Sequence, residues 1–226
     1  GIGRALVSGL VGRGTYGTVF ALSRSGTDAV PPAEAGSIDL IDEASVSAAA
    51  ERVGQRGPVG LVLMATGLLH GPGVAPEKAI RALDPAAMAT VFAVNTIGPA
   101  LAAKHFLPLM PRAGRSVFAA LSARVGSIED NRLGGWYAYR ASKAALNQVL
   151  RTLAIEVRRT HPDAIVAGLH PGTVNTGLSE PFRPDPNTPG LFTPETSVAH
   201  LLQVVDGLGP EDTGRVFAWD GTRIPA

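Results

Sequence analysis

Tyr139 and Lys143, in the run Tyr139-Arg140-Ala141-Ser142-Lys143, stand four residues apart. On a helix that spacing puts both side chains on one face. A phenol ionises at about pH 10 and is by itself a poor proton donor or acceptor in neutral water. An ammonium beside it favours the phenolate and is expected to lower its pKa by roughly 2–3 pH units, about 3–4 kcal/mol. Such a pair can protonate a carbonyl oxygen, or deprotonate an alcohol, while a hydride moves at the carbon. The plain alternative is a surface lysine and a half-buried tyrosine on an amphipathic helix, and the rest of the chain has to decide.

The helix carrying the pair reads as 137–160, between strand-like segments 115–122 and 164–169. Further strands are expected at 19–23, 37–40, 59–65 and 214–219, the segment 59–65 as a fully buried one rich in Val and Leu. Helices are expected directly after Gly3 and at 43–54, 84–110 and 196–207. This alternation predicts a single α/β domain with a Rossmann-type, doubly wound parallel sheet and right-handed crossovers. Ligands of such sheets sit at the carboxyl ends of the strands. The proline-rich stretch 181–194 reads as a long loop, either a substrate lid or plain surface.

Composition narrows the chemistry. The chain has 226 residues, 45% hydrophobic and 17% charged, with a net charge of +1 and no block of like charges, which speaks against a nucleic-acid partner. No apolar run approaches the roughly 18 residues that span a bilayer, so no membrane partner is expected and a cytoplasmic location is the default. Zero cysteines exclude disulfides, zinc–thiolate sites and thiol catalysis. The five histidines lack metal-binding spacing, so no metal is expected. The adjacent carboxylates Asp42-Glu43 and Glu129-Asp130 read as solvated charges at helix starts or loops. Neither a Gly-x-Ser-x-Gly elbow nor a phosphate-binding Gly-x4-Gly-Lys-Ser/Thr loop is present.

Gly1-Ile2-Gly3, followed directly by an amphipathic helix, resembles the second half of a dinucleotide-binding glycine loop. Missing side chains there let the backbone approach a pyrophosphate at the helix N-terminus. On that reading a first strand and the front of the loop belong ahead of Gly1. Asn95 lies in Val94-Asn95-Thr96-Ile97-Gly98, Ser122 ends a strand, and Pro171-Gly172-Thr173-Val174-Asn175-Thr176 follows the strand 164–169. With Tyr139 and Lys143, these motifs resemble the short-chain dehydrogenase/reductase family in order and spacing, over essentially the whole chain. The runs Ser122 to Ser127, Asp130-Asn131-Arg132, Gly134 to Tyr137 and Phe217 to Thr222 are similar to its C-factor-like subgroup.

The resemblance implies an oxidoreductase moving hydride between a nicotinamide cofactor and a small carbonyl or alcohol substrate. Tyr139 would be the general acid/base, and Lys143 would lower its pKa and hold the nicotinamide ribose. Asn95 would hold a water that relays protons to Lys143, or serve as a helix-kinking structural residue. Thr176 and the backbone of Val174, after Pro171-Gly172, would hold the carboxamide; Asp39 and Leu40 would lie at the adenine, and Gly67 would line the cofactor. Two departures stand out. The family's Asn-Ala-Gly is Ala65-Thr66-Gly67 here, and Ser-x-x-Gly counted back from Gly126 lands on Ala123, with Ser122 one residue earlier. Ser122 is the expected oxygen-facing donor if the strand end turns. NADP(H) is the expected cofactor, with NAD(H) the lesser option, because Ser23 and Arg24 stand where an acidic residue would take the ribose hydroxyl. A homodimer or homotetramer is expected from the Ala- and Leu-rich segments 84–110 and 137–160. The rival class is a dinucleotide-binding signalling or regulatory protein of C-factor type with vestigial catalysis.

Overall fold

In the computed structural model, which describes residues 1–27, 29–182 and 190–226, strands and helices alternate along the chain. Helix α1 (Ile2–Arg13) is followed by β1 (Phe20–Ser23), β2 (Glu34–Ser37), α2 (Glu43–Gly54) and β3 (Leu61–Met64). Then come α3 (Pro85–Phe92), α4 (Gly98–Phe106), β4 (Ser116–Leu121) and α5 (Tyr137–Val157). After them lie β5 (Ala164–His170), β6 (Thr173–Val174), β7 (Leu191–Phe192), α6 (Pro194–Gly207), β8 (Arg215–Ala218) and β9 (Arg223–Ile224).

The main sheet has the order β3-β4-β5-β8-β9, parallel throughout except for the antiparallel β8–β9 pair. Successive side chains leave opposite faces of it. Val117, Ala119, Ile165, Ala167 and Leu169 pack against Leu201 and Val205 of α6. Phe118, Ala120 and Val166 pack against Leu146, Leu150 and Ala154 of α5. Helix α1 joins α6 through Ala5, Leu6, Val198 and Leu202, and α2 joins α4 through Val46, Ala49, Ala102 and Phe106. Helices therefore cover both faces of a mostly parallel sheet, as the alternation requires.

Strands β1 and β2 form a separate parallel pair, and no ladder joins β1 to β3 among the described residues. This corrects the expectation of a fully buried 59–65 strand. All four residues of β3 are only half-buried, and among the described residues one flank of the strand has no paired neighbour. The strand expected at 37–40 is displaced to Glu34–Ser37; beyond its end Ile38 and Leu40 are buried beneath α2, and Ile38 N still donates to Ser23 O of β1 at 2.9 Å.

The segment 84–110 is not one regular helix. A π turn at Ala93–Ile97 separates α3 from α4, and a 3-10 turn follows at Leu107–Leu109. By length and composition alone, Pro85–Leu109 is apolar enough to cross a membrane, at mean hydropathy 1.5, contrary to the expectation that no run comes close. Here Val91, Asn95, Ala102 and Phe106 of that stretch are buried in the packing of the domain. Helix starts follow local chemistry: Asp42, Asp84 and Thr193 accept backbone N–H groups of α2, α3 and α6, and Pro85 and Pro194 open two of them. Of the proline-rich stretch, 183–189, with Pro184, Pro186 and Pro189, lie outside the described residues.

Candidate active site

The carboxyl ends of β3, β4 and β5 open onto a cleft of about 370 Å³. The first turn of α1 lines one side with Gly1, Ile2, Gly3 and Arg4. Ala65, Thr66 and Gly67 follow β3, Ser122 follows β4, and Pro171 and Thr176 follow β5. Helix α5 contributes Tyr139 and Lys143.

The i, i+4 pair behaves as the spacing dictates in position, and differently in its titration. Tyr139 is 8% and Lys143 2% exposed. The Lys143 ammonium donates to the Leu121 carbonyl at 2.7 Å and lies 5.9 Å from the centroid of the Tyr139 ring. Burial pushes the Tyr139 phenol up to about 12 and the Lys143 ammonium down to about 8. The expected lowering of the phenol is therefore reversed. Taking a phenolate out of water outweighs an ammonium that spends a hydrogen bond on a backbone carbonyl.

Space for this pair comes from glycines. A Cβ on Gly126 would stand 2.8 Å from Lys143 Cβ, and one on Gly67 would stand 3.8 Å from Nζ. Asn95 sits in the π turn, fully buried, and clamps the chain after β3: its Oδ1 accepts from Leu68 N at 2.7 Å and its Nδ2 donates to Leu68 O at 2.9 Å. The same Nδ2 donates to Ser142 Oγ at 3.0 Å, and Thr96 Oγ1 donates to the Ser142 carbonyl at 2.8 Å. Asn95 thus ties α3–α4 to both the β3 end and α5.

Along its first 187 residues the chain matches the short chain dehydrogenase family. It belongs to that family. The C-signal protein of Myxococcus xanthus is 38% identical over 148 residues, which are 65% of this chain and 83% of that protein. The 1-hydroxy-2-glutathionyl-2-methyl-3-butene dehydrogenase of Rhodococcus sp. is 31% identical over 185 residues, 82% of this chain and 76% of that one. Among solved structures, an NADPH-bound carbonyl reductase from chicken fatty liver superposes with a TM-score of 0.86 at 26% identity, covering 100% of this chain and 90% of the other.

In this short chain dehydrogenase Ser122, the expected oxygen-facing donor, lines the cleft with its hydroxyl already engaged. Ser122 Oγ donates to Asn147 Oδ1 at 2.6 Å, and the neighbour packed with Tyr139 and Leu69 is Ala123. Adjacent residues on extended backbone point to opposite sides, so the one-residue offset survives folding. His170, next to Pro171, has its Nδ1 buried without a hydrogen-bond partner among the described residues, and burial lowers its pKa to about 4.

The cofactor-side residues split into two groups. Gly1, Ile2, Gly3, Gly67, Pro171 and Thr176 share the cleft. Helix α1 has no side-chain cap and no acidic residue in its first turn, which leaves an electropositive end there. Gly3 brings that turn close to the chain after β3: a Cβ on it would stand 3.5 Å from that of Ala65. Arg24, Asp39, Leu40, Gly172 and Val174 lie outside this lining. Arg24 is exposed at the end of β1, where Ser23, Ser25 and Thr27 hydroxyls join one another at 3.1 and 3.2 Å. Asp39 caps its own turn, accepting from Ile41 N at 3.1 Å, and Leu40 packs against Gly98. Gly172, at φ +76, leaves the room that the Phe192 ring fills. Val174 O accepts from Ser179 Oγ at 2.5 Å, and Thr176 O accepts from Ser179 N and Glu180 N, which curls the segment beyond β6.

Sequence reasoning missed Arg4, whose position directly after Gly1-Ile2-Gly3 could have pointed to it. It also missed Asn147, one turn beyond Lys143 on the same face, and the rings of Trp136, Phe182 and His70. No local pattern marks those rings, since they meet only in the folded chain.

Proposed function

We propose that this protein is an NAD(P)(H)-dependent oxidoreductase that reduces a carbonyl compound, with Tyr139 as the proton donor. The observation that carries the reading is the buried Tyr139–Lys143 pair in a cleft that also holds the open N-terminal turn of α1. A bound nicotinamide would supply the hydride; the protein supplies orientation and the proton. Gly1, Ile2, Gly3 and Arg4 suit the pyrophosphate, through backbone N–H groups and a guanidinium. Gly67, Pro171 and Thr176 suit the nicotinamide end.

At neutral pH a phenol raised to about 12 is protonated, so Tyr139 is set to donate to a carbonyl oxygen. As the proton leaves, the buried Lys143 ammonium stabilises the phenolate that remains. It is charged below about pH 8 and has two N–H groups beyond the one given to Leu121. Asn95 holds the backbone of Leu68 and the start of α5 in register with this pair. NADP(H) is our preferred cofactor. Arg24 with the hydroxyls of Ser23, Ser25 and Thr27 suits a 2′-phosphate, and no carboxylate stands between Ser23 and Thr27. Tighter binding of NAD(H) than NADP(H) would overturn this preference. We read the β1–β2 pair and the main sheet as parts of one Rossmann-type domain.

The direct test is consumption of NADPH with a panel of aldehydes, ketones and quinones. Tyr139→Phe should abolish turnover while leaving the cofactor dissociation constant within about twofold, since only the transferred proton is lost. Retained turnover in that variant would reject the mechanism. A second reading, a dinucleotide-binding signalling protein with slow catalysis, is favoured by one observation, the methyl of Ala123 against Tyr139, and by the likeness to C-signal. NADPH binding without turnover of any carbonyl would select it.

A further inference from the structure

The Tyr139 ring, which lines the cleft, is the inner end of an aromatic wall whose other rings lie beyond that lining. Trp136 meets it edge-on at 6.2 Å, Phe182 meets Trp136 at 5.2 Å, and His70 meets Phe182 at 5.4 Å. Phe182 and Leu178 each keep 37% of their surface exposed, and Leu178 lines the cleft. The wall is held in place from two sides. His70 Nε2 is 3.0 Å from the Gly177 carbonyl, tying the chain after β3 to the segment that carries Phe182. Trp136 is the one non-glycine residue with positive φ among the described residues, at 51°, following Gly134 and Gly135, which are also left-handed. Its N–H donates to the Glu77 carbonyl at 2.5 Å, and the buried Glu77 carboxylate accepts from Ala138 N at 3.2 Å. A bulky residue rarely adopts this conformation, and here it aims the indole at Tyr139 and Phe182.

On the oxygen side the wall is matched by a deficit. Ala123 presents a methyl to Tyr139, and the Ser122 hydroxyl is spent on Asn147. Among the described residues at the end of β4, none offers a second hydroxyl proton beside Tyr139 to a developing alkoxide. A site with one donor stabilises that charge less than a site with two, so more of the demand falls on the substrate.

We propose that this cleft selects planar, electron-poor aryl carbonyl compounds, with Trp136 and Phe182 as specificity residues and Ala123 setting the electronic demand. The inference rests on the oxidoreductase reading above. The rings bind the flat apolar body of the substrate by offset or edge-to-face contact. In the reaction the carbonyl carbon gains a hydride from reduced nicotinamide, the C=O π pair moves to oxygen, and the Tyr139 proton joins it. The products are the aryl alcohol and oxidised nicotinamide, and solvent returns the proton to Tyr139.

The test uses the whole protein with NADPH and four aldehydes: benzaldehyde, its 4-nitro and 4-methoxy derivatives, and cyclohexanecarboxaldehyde. Expected are a kcat/KM at least tenfold higher for benzaldehyde than for the cyclohexyl compound, and a steep rise from 4-methoxy to 4-nitro. Trp136→Gly keeps the left-handed backbone and removes the ring; with Phe182→Leu as the independent second variant, the aryl-to-cyclohexyl ratio should fall towards one through KM. Ala123→Ser should flatten the electronic dependence. Equal kcat/KM for flat and puckered aldehydes, or an unchanged ratio in both ring variants, would overturn the proposal. Absence of turnover with every aldehyde would count against the oxidoreductase reading instead. Calorimetric affinities of 4-nitrobenzyl alcohol and cyclohexylmethanol then decide the aryl preference alone, and equal affinities overturn it.

Discussion

Burial acts on Tyr139 and Lys143 in opposite senses, and both effects favour the uncharged form. For Lys143 this has a sign that can be measured. A base whose folded pKa is about 8, against 10.5 for the ordinary side chain, penalises folding while it is charged. The penalty is complete below pH 8 and disappears as pH rises towards 10.5. Lys143→Met removes the group, so its stability relative to the parent should fall by up to about 3 kcal/mol between pH 7 and 10.5. Urea unfolding across that range checks it; a pH-independent difference would contradict it. Ser122 makes a second prediction at this scale. Its hydroxyl serves Asn147, so Ser122→Ala should cost about 1–2 kcal/mol of stability from an unpaired acceptor. Its effect on kcat should stay below about fivefold, far from the 10²–10³ of a lost oxyanion donor. A hundredfold loss of turnover at unchanged stability would restore Ser122 as the oxygen-facing group.

At the scale of elements, the site depends on how closely α5 lies against the end of β4. Gly126 makes that approach, since a Cβ there would stand 2.8 Å from Lys143 Cβ and 2.9 Å from its carbonyl carbon. Neither atom is the mobile end of a side chain. Gly126→Ala should therefore shift α5, costing about 1–3 kcal/mol by overpacking and lowering turnover with it. Thermal unfolding and kinetics on one preparation would show both losses; full stability with full activity would mean that the helix is not held there. The π turn at Ala93–Ile97 belongs to the same argument. A regular helix over 84–110 would be the default for so apolar a run, and the three Asn95 hydrogen bonds accompany the break.

For the whole molecule, the apolar helices leave something uncovered. Ile97, at the end of the π turn that leads into α4, and Ile155, near the end of α5, are each 53% exposed. We take these helices as the faces of a homodimer or homotetramer. Light scattering at micromolar concentration should give a multiple of the 23.3 kDa chain, and Ile97→Arg with Ile155→Arg should shift it towards the monomer with the far-ultraviolet circular dichroism intact. A parent protein that is already monomeric would refute this.

Sequence alone determined the alternation of strands and helices, because periodicity and turn residues are local properties of the chain. It also determined the face shared by Tyr139 and Lys143, since a four-residue step fixes that in any helix. The glycines of the first turn and the offset of Ser122 from Ala123 were legible for the same reason. Only the tertiary structure decided the rest. The phenol pKa rose rather than fell because desolvation depends on what surrounds a group, which spacing does not encode. Strand β3 is half-buried with one flank unpaired among the described residues, and a local apolar run does not encode which flanks are covered. The wall of Tyr139, Trp136, Phe182 and His70 joins segments up to 112 residues apart in number, from 70 to 182, and only folding places them in contact.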